Sequence, residues 1–126
     1  MPRSHADDLI YDWNVHETAP LEKRAYATVD DETLRDGLQS ASVRHPSEEE
    51  MEEILHHVAN LGIESMDIGQ PGAGPHVVKT VTRLAKEIRD QKLAIYPNCA
   101  ARTLVQDIEP IRTISEEVGR EIEVAM

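Results

Sequence analysis

Residues 47–69 read SEEEMEEILHHVANLGIESMDIG, a helix pattern running directly into a strand pattern. Ser47 with Glu50 three positions later has capping-box spacing, in which each side chain satisfies an orphan backbone N–H at the other's position. The spacing predicts a helix over 47–61. Met51, Ile54, Leu55, Val58 and Leu61 fall on one face of it, and Gly62 closes it. The acids from Glu48 to Glu53 are read as its solvated face, at the end where the helix dipole favours negative charge. The β-favouring run Glu64–Gly69 follows at once, so this stretch is one αβ step.

Working outward, the step repeats. A second helix is expected after Pro75, with Val77, Val78, Val81, Leu84, Ala85 and Ile88 as its buried stripe and Lys79, Arg83, Lys86 and Arg89 mostly outside. A third uses Leu104, Val105, Ile108, Ile111 and Ile114, and Pro110 should kink or restart it. Strands are expected at Ala25–Asp31, Glu64–Gly69, Leu93–Cys99 and Glu121–Met126. The order is βαβαβαβ. Strands alternating with single helices at intervals of about 30 residues imply a parallel sheet with right-handed crossovers, an α/β fold. Periodicity alone leaves open whether that sheet is part of a barrel or a flat, doubly wound one.

Composition narrows the function classes. With 40% hydrophobic and 29% charged residues, the chain has the make-up of an ordinary globular protein and no run near the ~20 apolar residues that cross a bilayer. Residues 1–24 lack the apolar block of a secretory signal, and a cytoplasmic location is expected. Cys99 is the single cysteine, which rules out an intrachain disulfide. A formal charge of -11 argues against nucleic acid as a partner. Trp13, three tyrosines and no phenylalanine leave an aliphatic core, suited to buried parallel strands under helices.

The chemistry is concentrated where the first strand ends, at Asp31-Glu32-Thr33-Leu34-Arg35-Asp36-Gly37-Leu38-Gln39. In parallel α/β proteins the carboxyl ends of strands are where ligands bind. A carboxylate beside an arginine in a loop is by itself more often a local ion pair than a catalytic one. This run, however, resembles the first-strand signature D-x-T-L-R-D-G-x-Q of the family that contains 2-isopropylmalate synthase, homocitrate synthase and 3-hydroxy-3-methylglutaryl-CoA lyase. Met66-Asp67-Ile68-Gly69-Gln70-Pro71 is similar to the second-strand ending of the synthases, I-E-x-G-F-P. Cys99-Ala100-Ala101-Arg102, with Asp107-Ile108-Glu109, is similar to their third-strand end and helix.

The resemblance implies the N-terminal half of a (β/α)8 TIM barrel over residues 25–126, preceded by an extension at 1–24. A closed barrel takes roughly 250 residues, against 126 here. The pattern stops inside the last strand, so the chain is expected to be truncated and inactive alone. The implied activity is a Claisen-type acyl transfer from acetyl-CoA, as co-substrate, to a 2-oxo acid. A carbon-carbon lyase of the same family is the alternative: Leu38 resembles the lyase branch, whereas Gly69 and Pro71 resemble the synthases. By the same resemblance Asp36 would ligate a divalent cation (Mg²⁺, Mn²⁺ or Zn²⁺), Arg35 would hold the enolate or carbonyl oxygen, and Gln39 would hydrogen-bond the substrate or a bound water. Asp67 would take the place of a family glutamate, and Arg102 would face the substrate. A homo-oligomer without membrane contact is expected.

The family's His-x-His pair is absent from this sequence. His56 and His57 are adjacent on a helix, cannot face one cation together, and are read as helix surface. Gln70–Pro75 lacks the spacing of a phosphate-binding loop and is read as a βα turn, with His76 in the first turn of the next helix. No base is placed to activate Cys99, which is read as a small buried residue. A non-catalytic, doubly wound α/β binding domain is the remaining alternative.

Overall fold

A computed structural model describes residues 27–126. The expected extension at 1–24 and the first two residues of the expected first strand lie outside the described residues. Four strands and three helices follow in the expected order: β1 Asp30–Asp31, α1 Glu48–Asn60, β2 Ser65–Asp67, α2 Pro75–Asp90, β3 Tyr96–Ala100, α3 Val105–Val118 and β4 Glu123–Ala125.

All strand pairs are parallel, and the sheet order is β1-β2-β3-β4. Each crossover therefore moves one place in the same direction, and right-handed crossovers of that kind lay all three helices on one face. A doubly wound sheet instead reverses its order at a switch point, with helices on both faces. No reversal occurs among the described residues. The fold is a singly wound α/β sheet, compatible with half of a (β/α)8 barrel.

The core is aliphatic and lies between the sheet and the helices. Met66, Ile68 and Cys99 from the sheet side meet Leu55 and Val58 of α1, Val81, Leu84, Ala85 and Ile88 of α2, and Ile111, Ile114 and Val118 of α3, all buried. Side chains alternate along a strand, so the residues between those of the sheet point away from the helices. In register on that other face stand Asp30 beside Ser65, then Asp67 beside Asn98 and Asn98 beside Glu123. One face is hydrocarbon and the other is polar.

Local chemistry explains the element ends. Ser47 Oγ accepts the Glu50 N–H at 3.2 Å while the Glu50 carboxylate accepts the Ser47 N–H at 2.7 Å, so the expected capping box starts α1. Gly119, with φ 70°, ends α3, and its N–H bonds to the Ser115 carbonyl at 2.9 Å. Pro97 lies inside β3. The backbone groups of Tyr96, Asn98 and Ala100 bond toward β2, so the N–H that Pro97 lacks would point toward β4, whose pairing begins one residue later at Asn98.

Three expectations are corrected. Pro110 does not restart α3, which is one helix from Val105 to Val118. The proline costs the single bond its N–H would give the Gln106 carbonyl, and the buried Asp107, Ile111, Ile114 and Val118 hold the helix on either side of it. The third strand starts at Tyr96 rather than Leu93, because Leu93 still completes the end of α2 by bonding to the Ile88 carbonyl at 3.0 Å. The acids of α1 are not simply a solvated face. Arg83 of α2 bonds Glu52 at 2.6 Å and Glu48 at 2.6 Å, and also reaches Glu49 at 3.2 Å, pinning α1 to α2. Helical periodicity cannot show that bridge, since its partners lie more than thirty residues apart.

Candidate functional site

Thr33 to Gln39 wind tightly off β1, with the Arg35 and Gly37 N–H groups both bonding the Glu32 carbonyl at 3.1 and 3.0 Å. This turn lifts Arg35 over the carboxyl edge of the sheet. There its Nε donates to Asp67 Oδ2 at 2.9 Å, Nη1 donates to Asp36 Oδ1 at 3.1 Å, and Nη2 is paired with Glu32. Three of the five guanidinium N–H donors are engaged in this way, leaving two for a ligand. Burial works against the Arg35 charge, but the bond to Asp67 and the nearby carboxylates outweigh it and hold the guanidinium above its ordinary range.

Asp67 is 1% exposed, and its other oxygen accepts the Gly69 N–H at 3.0 Å. Burial is the largest influence on it and pushes its carboxyl above the usual aspartate range, with the Gly69 N–H and Arg35 offsetting only part. Gly69 has φ +142°, and a Cβ on it would stand 2.8 Å from Val81 Cγ2, so α2 closes tightly on the end of β2. Asp67 is therefore a fixed, dry carboxylate that orients Arg35.

The other expected site residues are distributed as follows. Asp36 is exposed at the rim, with Oδ1 taken by Arg35. Gln39 lies with Arg35 on the wall of a cleft of about 410 Å³, together with Leu38, Ile68, Gln70 and Val77. Arg102 is drawn elsewhere: its Nε and Nη2 form a two-point bridge to the Asp107 carboxylate at 2.7 and 2.9 Å, and its backbone N–H bonds the same carboxylate at 3.2 Å. The arginine first, and then that N–H, hold the Asp107 carboxyl below its usual range in spite of burial. His56 joins Glu87 of α2 at 2.7 Å and His57 lies on the helix surface near Glu53. Cys99 is fully buried, and burial followed by the Asp67 charge pushes its thiol far up, so no thiolate nucleophile is available there.

Asn98 was not singled out in the sequence, and Asp107 was named only within the run Asp107-Ile108-Glu109, with no role given to it. Asn98 Nδ2 donates to Asp30 Oδ1 at 2.8 Å and to Ser65 Oγ at 3.2 Å, linking three strands across the polar face. Its Oδ1 is buried and has no hydrogen-bond partner among the described residues. A polar residue amid the apolar pattern of the third strand was the available signal. Asp107 is buried at the start of α3, and its position as the acid of a helical first turn was likewise visible.

Of the cations the resemblance implies, Mg²⁺ and Mn²⁺ take about six oxygen donors and Zn²⁺ about four ligands, converging on one point. Among the described residues no three His, Cys, Asp or Glu side chains do so. Asp36 and Glu32 are exposed carboxylates that both pair with the competing Arg35 guanidinium, and they do not by themselves fit the ion. No helix among the described residues is long and apolar enough to cross a membrane.

No protein-family model matches the chain, and no solved structure matches it. Among curated proteins, a 2-isopropylmalate synthase from Pyrococcus furiosus is 34% identical over 79 residues, a stretch that takes in 63% of this chain and 15% of that relative. This likeness supports a relationship to that synthase's family over the aligned stretch, and by its name that relative is an enzyme.

Proposed function

We propose that the chain carries the enolate-stabilising part of an acyltransferase site that joins acetyl-CoA to a 2-oxo acid, with the likeness to a 2-isopropylmalate synthase as the starting point. The observation that carries the reading is the Arg35–Asp67 pair: a guanidinium anchored at 2.9 Å to a buried carboxylate, at the carboxyl edge of a parallel sheet and beside a cleft.

In such a condensation a base removes a proton from the acetyl group. The resulting enolate carbon attacks the keto carbon of the acid, and the former carbonyl oxygen takes up a proton. Water then cleaves the thioester, releasing CoA. Negative charge grows on an oxygen in the first two steps, and a fixed cationic donor lowers the energy of that charge more than that of the neutral ground state. Arg35 is such a donor, with two N–H groups to spare. Asp67 keeps it from reorienting, and Gln39 offers a neutral hydrogen bond on the same wall. A divalent cation would polarise the keto acid; in this reading Asp36 would give it one ligand.

The test is CoA thiol release from acetyl-CoA against a panel of 2-oxo acids, with Mg²⁺ or Mn²⁺ supplied to the full-length protein. Release that falls at least ~100-fold in Arg35→Lys, a loss typical of a single oxyanion donor, is the expected result. Cleavage of a 3-hydroxyacyl-CoA without any condensation would place the protein on the lyase side. Neither reaction would end the enzyme reading.

A further inference from the structure

We propose that the cleft beside Arg35 is the seat of this chain's own segment 7–13, Asp-Asp-Leu-Ile-Tyr-Asp-Trp, which lies outside the described residues. The inference is independent of the reaction proposed above, since it concerns what covers the cleft and not what is turned over.

The cleft lies between the turn after β1, the end of β2, and the first turns of α1 and α2. Its apolar wall is made by Leu34 and Ile68, which are buried, and by Met51 and Val77, which are half-buried. Gln39, His45 and His76 are exposed around it, and Arg35 adds a full positive charge. An apolar centre inside a polar rim is the usual anatomy of a surface that takes another piece of protein.

The segment carries the complementary pattern. Leu9, Ile10, Tyr11 and Trp13 are its large apolar and aromatic residues, and Asp7, Asp8 and Asp12 stand among them. A tyrosine or a tryptophan hides roughly 150–250 Å² when packed, so this run has much to gain from an apolar wall. Charge selects which wall. No Asp or Glu of the described residues lines the cleft, although the chain carries a formal charge of -11, so three aspartates meet Arg35 and side-chain donors there instead of repulsion. The cleft around Arg83 is lined by Glu52, Glu87 and Asp90, and the one beside Tyr96 by Glu121 and Glu123, which repel such a run.

The tether is long enough. From Trp13 to Asp30, where β1 starts, the chain can span roughly 55 Å, against about 20 Å for the whole length of α1. A tethered segment is also present at a local concentration on the order of millimolar, so modest contacts suffice to hold it.

Trp13 is the chain's one tryptophan and serves as the probe. In the full-length protein its emission is isolated as the difference between wild type and Trp13→Phe, and its quenching by acrylamide is compared with that in denaturant. Blue-shifted emission with severalfold weaker quenching in the folded protein is the expected result. The shielding is expected to be lost when His45→Glu and His76→Glu are combined, and regained when Asp8→Lys and Asp12→Lys are added to them. Asp8→Lys with Asp12→Lys alone alters only the segment and gives the same loss if the rim variant fails to fold. Quenching as strong as in denaturant overturns the docking. Shielding that survives the rim and segment variants overturns it too, because Trp13 then lies against another surface. Loss without recovery in the combined variant shows that rim and segment do not pair, and shielding that falls on dilution puts a second copy's segment in the cleft; either result overturns the proposal.

Discussion

A Cβ on Gly72 would lie 2.7 Å from the carboxyl carbon of Asp107 and 3.1 Å from its Cα. The 3-10 turn Pro71–Ala73 after β2 therefore rests directly on the first turn of α3. The carboxylate beneath it is itself locked by Arg102. Gln70 and Ala73, on either side of Gly72, line the cleft. A contact made by the third βα unit thus shapes a wall belonging to the second.

Gly72→Ala is expected to destabilise the fold by roughly 1–3 kcal/mol, the usual cost of forcing atoms into a packed interior. The backbone of Asp107 cannot swing aside as a long side chain would. Thermal melting measures this, and a melting temperature equal to that of the wild type would show that the turn can lift off α3 freely.

The Arg35–Asp67 pair predicts a pH-dependent variant. The folded-state carboxyl of Asp67 lies above its ordinary value, so the stability this group contributes is complete below the unfolded aspartate range of about 4 and is lost as pH rises through the folded value. Removing Arg35 takes away an influence that lowers it, and the folded value climbs further. Arg35→Gln should therefore cost stability at pH 7, on the order of 1–3 kcal/mol for a buried acceptor deprived of its donor, and the deficit should shrink toward pH 4.5. Denaturant unfolding at both pH values checks this, and an equal deficit at each would mean that Asp67 is not ionised against a burial cost.

Cys99 is fully buried with its thiol pushed far up. Aromatic disulfide reagents are expected to leave it unmodified in the folded protein and to react with it fully in denaturant. Labelling at native stability on the timescale of an exposed thiol would show that the sheet opens locally between β3 and α3.

Much of the fold was legible in the residues because the signals are local. The Ser47–Glu50 box, the apolar stripe of α2 and Gly62 after α1 depend on neighbours within one or two turns, and they mark those helices closely. The restart expected at Pro110 failed for a related reason. Its local cost is real, but the buried residues around it contribute packing that a propensity argument does not count. The polar cluster after β1 was visible as a cluster, whereas the destinations of its side chains were not. Arg35 and Arg102 look equally available in the sequence, yet one overhangs the cleft beside a buried aspartate and the other is committed to Asp107.

By itself the sequence determined the alternation of strand and helix, the aliphatic character of the core and the gathering of polar residues at strand ends, since each follows from side-chain periodicity and backbone capping along a short stretch of chain. Tertiary structure alone decided the strand order β1-β2-β3-β4, the pairing of Arg35 with Asp67 and the cleft bounded by both α1 and α2. Those features depend on which groups meet across about twenty-five residues or more. Such meetings are set by the packing of helices on the sheet and by the cost of leaving a buried charge unpaired.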